Sequence, residues 1–326
     1  MKRAIKLIMA VFIVVSFSGC FFNQPNSPEQ RYIFIDDRVK FFSLPPGIEG
    51  EAIRYGAKLL ANTAELLGPK SKIKLNLKSR MSCRNCHLGT GTLELGNSFL
   101  DTFQLYPQYR AREGRVQSLA ERINLCFMHP MQGRPLDENS DEMKAIQMYL
   151  KWVGRGRPWL SKDPDARLPK VEFLARAANP TAGKRIYESY CTSCHGADGQ
   201  GALALDEKSF KYPPLWGPES FISGSGMSRL SIMARFIKGN MPYMAEVKLN
   251  WEDSWDVAAF VMSQERSKWN GKESPFQNPR EKPFDYPIPP YGDSFSEAQH
   301  KFGPFLPIVE FWKKTYATDS LAPSGI

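Results

Sequence analysis

Two short runs in the chain carry the same chemistry. Cys83-Arg84-Asn85-Cys86-His87 and Cys191-Thr192-Ser193-Cys194-His195 each set two thiols three positions apart with an imidazole directly after. In a C-x-x-C-H run each thiol can form a thioether to a haem vinyl group, and the imidazole can ligate the iron from below. One copy alone would also fit a redox dithiol or half of a zinc site. Two copies favour two covalently bound haem c groups, because each follows an amphipathic segment with Gly and a bulky residue four positions on: Gly56 to Leu60, and Gly183 to Tyr187.

The second axial ligands come from a short supply. Of four His, two belong to the motifs, which leaves His129, His300, the remaining thiols and the Met residues. For the second haem, Lys238-Gly239-Asn240-Met241-Pro242 is the candidate segment, since a thioether is a soft neutral ligand that favours ferrous iron. Met227, Met244 and Met262 are its rivals. For the first haem the candidate stretch runs from Glu121 to His129 and holds Cys126, with His129 as rival. Six Cys are present; four belong to the motifs and Cys20 to a lipid site, so Cys126 is left over, and an odd thiol invites a role as ligand or reactive group.

These groups need helices to position them. The spacing of Ile53, Leu59, Leu60, Ala64 and Leu67 predicts a helix over 51–67, stopped by Gly68-Pro69. After the first motif a Gly-, Thr- and aromatic-rich stretch, 89–114, suits the edge of a haem, and a helix is expected from Val116 through Cys126, broken by Pro130. Ser140 caps the next helix, with Met143, Ile146, Leu150 and Val153 on one face. The second unit repeats the plan: helices over 182–190, 228–238 and 251–263, the last capped by Asn250 with Trp255, Ala258, Ala259 and Met262 inward. The fold class is therefore mainly α: two cytochrome c-type haem domains joined by a linker, with N- and C-terminal extensions packed on them. The expected boundaries are a signal peptide at 1–19, a lipid-anchored tether at 20–47, a first domain at 48–157, a linker at 158–178, a second domain at 179–265 and a C-terminal extension at 266–326.

Composition fits an exported globular protein. Lys2, Arg3 and Lys6 precede an apolar run, 7–17, too short to span a bilayer, and Ser18-Gly19 before Cys20 resembles a lipobox in which Phe17 stands where Leu is usual. Cys20 is thus a lipidation site, and the expected location is periplasmic, on a bacterial membrane. Removing 1–19 lowers the net charge from +9 to +6. The excess is concentrated at 51–135, with 13 Lys and Arg against 6 Asp and Glu around the first motif. Such a region can serve nucleic acid, anionic lipid, haem propionates or a small anion, and export argues against nucleic acid.

Several stretches together resemble a family: the di-haem thiosulfate dehydrogenase/tetrathionate reductase cytochromes. They are Gly56-Ala57-Lys58-Leu59-Leu60 with Asn62-Thr63, Leu67-Gly68-Pro69, the first motif with Gly91-Thr92, Tyr106-Pro107-Gln108-Tyr109-Arg110-Ala111-Arg112-Glu113-Gly114, Arg122-Ile123-Asn124 before Cys126-Phe127, Gly133-Arg134-Pro135-Leu136, Asn240-Met241-Pro242, and Gln299-His300-Lys301-Phe302-Gly303-Pro304-Phe305. The resemblance implies an oxidoreductase that interconverts thiosulfate and tetrathionate at a His87/Cys126-ligated haem, with Cys126 leaving the iron or sharing its sulfur with substrate, and a His195/Met241 haem that passes electrons to a soluble or membrane partner such as a c-type cytochrome. Joining two dianions needs preorganised cations, for which Arg80, Arg110, Arg112 and Arg122 are the candidates by position. One departure stands out: after Cys126-Phe127 the family usually reads x-Arg-Ser-Met-Asn-Gly, and here the run is Met128-His129-Pro130-Met131-Gln132-Gly133. His129 would then replace a fixed charge by an imidazole that titrates near neutral pH. The alternatives are an electron carrier without turnover, or the same build acting on another sulfur or small-anion substrate.

Overall fold

A computed structural model describes residues 44–68, 71–73, 75, 77–155, 167–268 and 276–316. The expected signal peptide, Cys20 and nearly all of the tether lie outside them, as do linker residues 158–166.

The first unit opens with α1 (Ile48–Ala61) and α2 (Thr63–Leu67). A single helix was expected here, but Asn62, at φ −127° and ψ 40°, breaks it. The break turns Thr63 toward the first motif, where its hydroxyl accepts from the Cys83 N–H at 3.2 Å. A hairpin follows, β1 (Gln108–Arg110) paired antiparallel with β2 (Arg115–Gln117), then α3 (Leu119–Met128) and α4 (Asp141–Val153). Val116 therefore lies in a strand, and α3 begins later than expected because Ser118 and Glu121 form a capping box. The Ser140 cap is present, its Oγ accepting from Met143 N–H at 3.2 Å, and Met143, Ile146 and Leu150 are buried.

The second unit runs α5 (Pro180–Tyr190), α6 (Thr192–His195), a small hairpin of β3 (Ala202–Leu203) and β4 (Phe210–Tyr212), α7 (Leu230–Asn240) and α8 (Trp251–Ser263). Asn250 caps α8 by accepting from Asp253 N–H at 2.7 Å, and Trp255, Ala258 and Ala259 are buried.

Both units are closed by the same contact. A Cβ on Gly56 would lie 2.1 Å from the Ala145 carbonyl oxygen, and one on Gly183 would lie 1.8 Å from that of Asp256. The missing side chains let α1 pack against α4, and α5 against α8, backbone to backbone. Ile53, Ala57, Ile146 and Tyr149 then fill the first core, and Tyr187, Leu230, Trp255 and Ala258 the second.

The C-terminal segment adds α9 (Glu297–Phe302) and α10 (Leu306–Tyr316), which bury Phe305, Ile308, Val309 and Trp312 in the second core. It also reaches the first unit, where Phe276 N–H donates to Arg112 O at 2.9 Å. Among the described residues no helix is long and apolar enough to cross a membrane.

Candidate haem sites

The first motif sits on a tight turn over Cys83–Asn85, held by Ser82 N–H donating to Asn85 Oδ1 at 2.7 Å. His87 Nδ1 lies 2.6 Å from Asn97 O, a carbonyl that can only accept, so Nδ1 carries the proton and Nε2 is the coordinating nitrogen. Phe99 stacks on the imidazole at 4.1 Å. The second motif repeats this: His195 Nδ1 donates to Pro213 O at 2.9 Å. Burial pushes the Cys83 and Cys86 thiols up to about 12 and depresses the basicity of both imidazoles, so the His remain neutral, the form that binds iron. Two thiols and one aimed, neutral imidazole nitrogen at each motif are the donor set that haem c requires.

Helix α3 carries Arg122 and Cys126 to the first motif. Arg122 and Cys126 are one turn apart, with Nη1 3.2 Å from Sγ. Cys126 acts electrostatically on both Cys83 and Cys86, and Arg122 on His87, so this face of α3 looks onto the motif. The helix is pinned between them by buried Asn124, whose side chain donates to Leu136 O at 3.0 Å and accepts from Leu136 N–H at 2.8 Å. Cys126, above all, holds Arg122 charged by raising its pKa.

The remaining candidate cations part company. Arg110 and Arg122 both act on Arg112, whose pKa burial lowers, and Glu113 Oε1 lies 3.5 Å from Arg112 Nε. Arg112 also donates to Gly224 O of the second unit. Arg80 does not join this group. Its Nε and Nη2 grip the Glu219 carboxylate at 2.9 and 2.5 Å, so it clamps the two units together.

His129 differs from expectation in charge. It is 9% exposed at the end of α3, and burial, with Arg112 and Arg122 close by, pushes its pKa down to about 3. It is neutral near pH 7 and does not replace a lost cation. His300 is excluded as an iron ligand because both ring nitrogens are engaged, Nδ1 with Phe284 O at 2.6 Å and Nε2 with Asp293 Oδ1 at 2.9 Å.

On the second side Met241 ends α7, its N–H donating to Ile237 O at 2.8 Å. It packs with Met227 against the second core and against Leu88, Leu168 and Phe236. Met244 is 81% exposed and falls away as a ligand, while Met262 packs partly buried against the second core as Met241 and Met227 do. Sequence reasoning gave Thr63 no role and missed Asn97 and Pro213. The latter two act through backbone carbonyls, which leave no residue signature.

The family model "SoxA/TsdA, cytochrome c domain" matches residues 74–159, and "Cytochrome C oxidase, cbb3-type, subunit III" matches 178–261. The thiosulfate dehydrogenase of Allochromatium vinosum is 35% identical over 227 residues, covering 68% of this chain and 81% of its own. That of Stutzerimonas stutzeri is 34% identical, covering 68% and 70%. The solved thiosulfate dehydrogenase TsdBA from Marichromatium purpuratum, in its as-isolated form, superposes with a TM-score of 0.63 at 32% identity over 70% of this chain. This chain spans about half (49%) of that longer one. With two cytochrome c domains, each bearing one attachment motif for a covalently bound haem, the chain belongs to the thiosulfate dehydrogenase family of di-haem c-type cytochromes.

Proposed function

We propose that this chain joins two thiosulfate dianions into tetrathionate, or runs the reverse, at the first haem site and passes electrons through the second. The bond formed is between the two outer sulfurs; two electrons leave and no proton is exchanged. When bound, each haem supplies a one-electron acceptor. Cys83, Cys86, His87 and Cys126 would hold the first haem, and Cys191, Cys194, His195 and Met241 the second.

The observation that carries this reading is the Arg122–Cys126 pair at 3.2 Å, with Arg110 and Arg112 adding like charge in the same neighbourhood. Haem propionates would engage some of these guanidiniums, but a site that only relays electrons has no need of Arg110 and Arg122 set so that both add to burial in lowering the pKa of Arg112. A site that must bring two dianions together does, since fixed cations offset the repulsion without reorganising. Arg122 orients the Cys126 sulfur by a charge-assisted hydrogen bond, and Arg80 is assigned to holding the units in register. His129 stays neutral and contributes no charge.

Export and lipid attachment at Cys20 are supported by the basic start, the apolar run and Ser18-Gly19. The protein then works in the periplasm beside a membrane and hands electrons to a partner such as a c-type cytochrome. Visible spectra under anaerobic conditions test the function. Thiosulfate should reduce the haems, and tetrathionate should reoxidise the reduced protein; if neither happens, the chain is an electron carrier or acts on another small anion.

A further inference from the structure

The stretch 276–286 straps the β1–β2 hairpin to the rest of the molecule. Besides the Phe276 bond to Arg112 O, Tyr109 Oη donates to Glu281 Oε2 at 3.1 Å, and the Phe276 ring meets Tyr286 edge-on at 5.0 Å. Tyr286 is 2% exposed, its hydroxyl is sealed from solvent, and it has no hydrogen-bond partner. Its neighbours are engaged elsewhere: Asp285 accepts from Arg229 Nε at 2.7 Å and Ser231 N–H at 2.9 Å, and Lys282 donates to Ile288 O at 3.0 Å. Arg110 Nε is a second sealed donor without an acceptor, although its Nη1 reaches Gln108 Oε1 at 3.5 Å.

Both groups act on Arg112, which also feels Arg122 and Glu113; Arg229 acts on Tyr286 from the side of the second unit. Four guanidiniums, those of Arg110, Arg112, Arg122 and Arg229, against the carboxylates of Glu113, Glu281 and Asp285 leave this neighbourhood positive. Native structures keep few buried donors without acceptors, and two in one positive neighbourhood lack the same thing. We infer that Tyr286 and Arg110 form an oxyanion site beside Arg112, in which a sulfonate of the substrate or a haem propionate accepts from both donors. The sulfonate arm rests on the proposed function. The propionate arm rests only on the haem that the first motif attaches.

Tyr286→Phe in the holo-protein removes one oxygen and nothing else. If the acceptor is a substrate sulfonate, no partner is lost in the substrate-free protein and the melting temperature should hold or rise. If it is a propionate, the melting temperature should fall together with the first haem's potential. If a sulfonate is the acceptor, KM for thiosulfate rises roughly tenfold or more, as for a lost hydrogen bond to a charged group, while kcat and the first haem's potential hold. If a propionate is the acceptor, the first haem's midpoint potential falls while KM holds, because the uncompensated carboxylate favours ferric iron. Arg110→Gln should move the same quantity in the same direction. An unchanged KM together with an unchanged potential overturns the site, and so does a lowered melting temperature with an unchanged potential, which would mean the hydroxyl has a structural partner within the protein. If the wild type turns over neither thiosulfate nor tetrathionate, the functional reading falls. The potential alone then decides: a shift in Tyr286→Phe supports the site and no shift overturns it.

Discussion

The two cytochrome units share their attachment chemistry and differ on the far side of the haem. Each has a glycine that brings two helices together, at Gly56 and Gly183, and each aims its His by an Nδ1–H bond to a carbonyl, Asn97 O or Pro213 O. Near the first motif stand Cys126 and Arg122, with Arg112 and Arg110 in the same electrostatic neighbourhood. The proposed ligand of the second, Met241, lies with Met227 among apolar side chains. The one arginine buried in α7, Arg235, is turned away to Pro169 O at 2.6 Å and Leu168 O at 3.2 Å. The difference is one of polarity: a charged distal side can gather anions, and an apolar one with a soft ligand can only hold and release an electron. The two are also wired together, for Asn240, just before Met241, donates to Leu95 O at 2.9 Å in the loop that follows His87.

The sharpest way to break this comparison is to remove the first site's ligand. Cys126→Ala should lower turnover about a thousandfold or more, comparable to deleting a strong charge-stabilising group. It should also abolish a thiolate-type low-spin signal in low-temperature EPR while leaving the second haem's spectrum in place. A wild-type bis-imidazole signal that disappears in His129→Ala would refute the assignment. Next in size, Arg122→Gln should cost about 10²–10³ in kcat with both haems intact. If instead KM for an external electron acceptor changes, Arg122 serves the relay and the polarity contrast loses its meaning.

The shared feature can be broken separately. Gly56→Ala and Gly183→Ala each push a methyl into a backbone carbonyl, at 2.1 and 1.8 Å, and should destabilise by about 1–3 kcal/mol or more in chemical denaturation. If one glycine proves tolerant, the two units are not closed in the same way. Met241→Ala should act on one side only, lowering the second haem's potential within the roughly 0.8 V that axial ligands span and leaving the first haem's spectrum alone. An unmoved potential would pass the role to Met227, which lies in the same cluster.

How far the sequence could be read follows the same division. The attachment motifs, the Ser140 and Asn250 caps and the stranded thiol of Cys126 were legible because each is a local pattern or a count. The β1–β2 hairpin was not, since three-residue strands carry no alternation to detect, and α10 was hidden by Pro304 and Pro307 near its start. Arg80 was misjudged for a different reason: its partner Glu219 is 139 residues away, and only the folded chain shows that the guanidinium is occupied. Tyr286 carried no signal, because an unpaired hydroxyl is a property of surroundings.

The smallest expected effect is at His129, where the family's usual Arg is missing. An exposed imidazole there would lose its charge, and activity with it, as pH rose through 6.5. Buried beside Arg112 and Arg122, with its pKa pushed down to about 3, His129 is uncharged across that range. The reaction itself exchanges no proton, so the kcat/KM profile between pH 6 and 8 should keep its shape in His129→Gln. The linkage appears in stability instead. Below about 6.5 the unfolded chain binds a proton that the folded chain refuses until about pH 3, so this group's contribution to stability declines as pH falls through that window. Denaturation at pH 7 and pH 4.5 should therefore show a smaller acid loss in His129→Gln than in wild type. An equal loss in both proteins, or a pH–rate profile that changes on substitution, would mean that His129 is protonated in the folded protein and that the first site recruits it as a titrating cation after all.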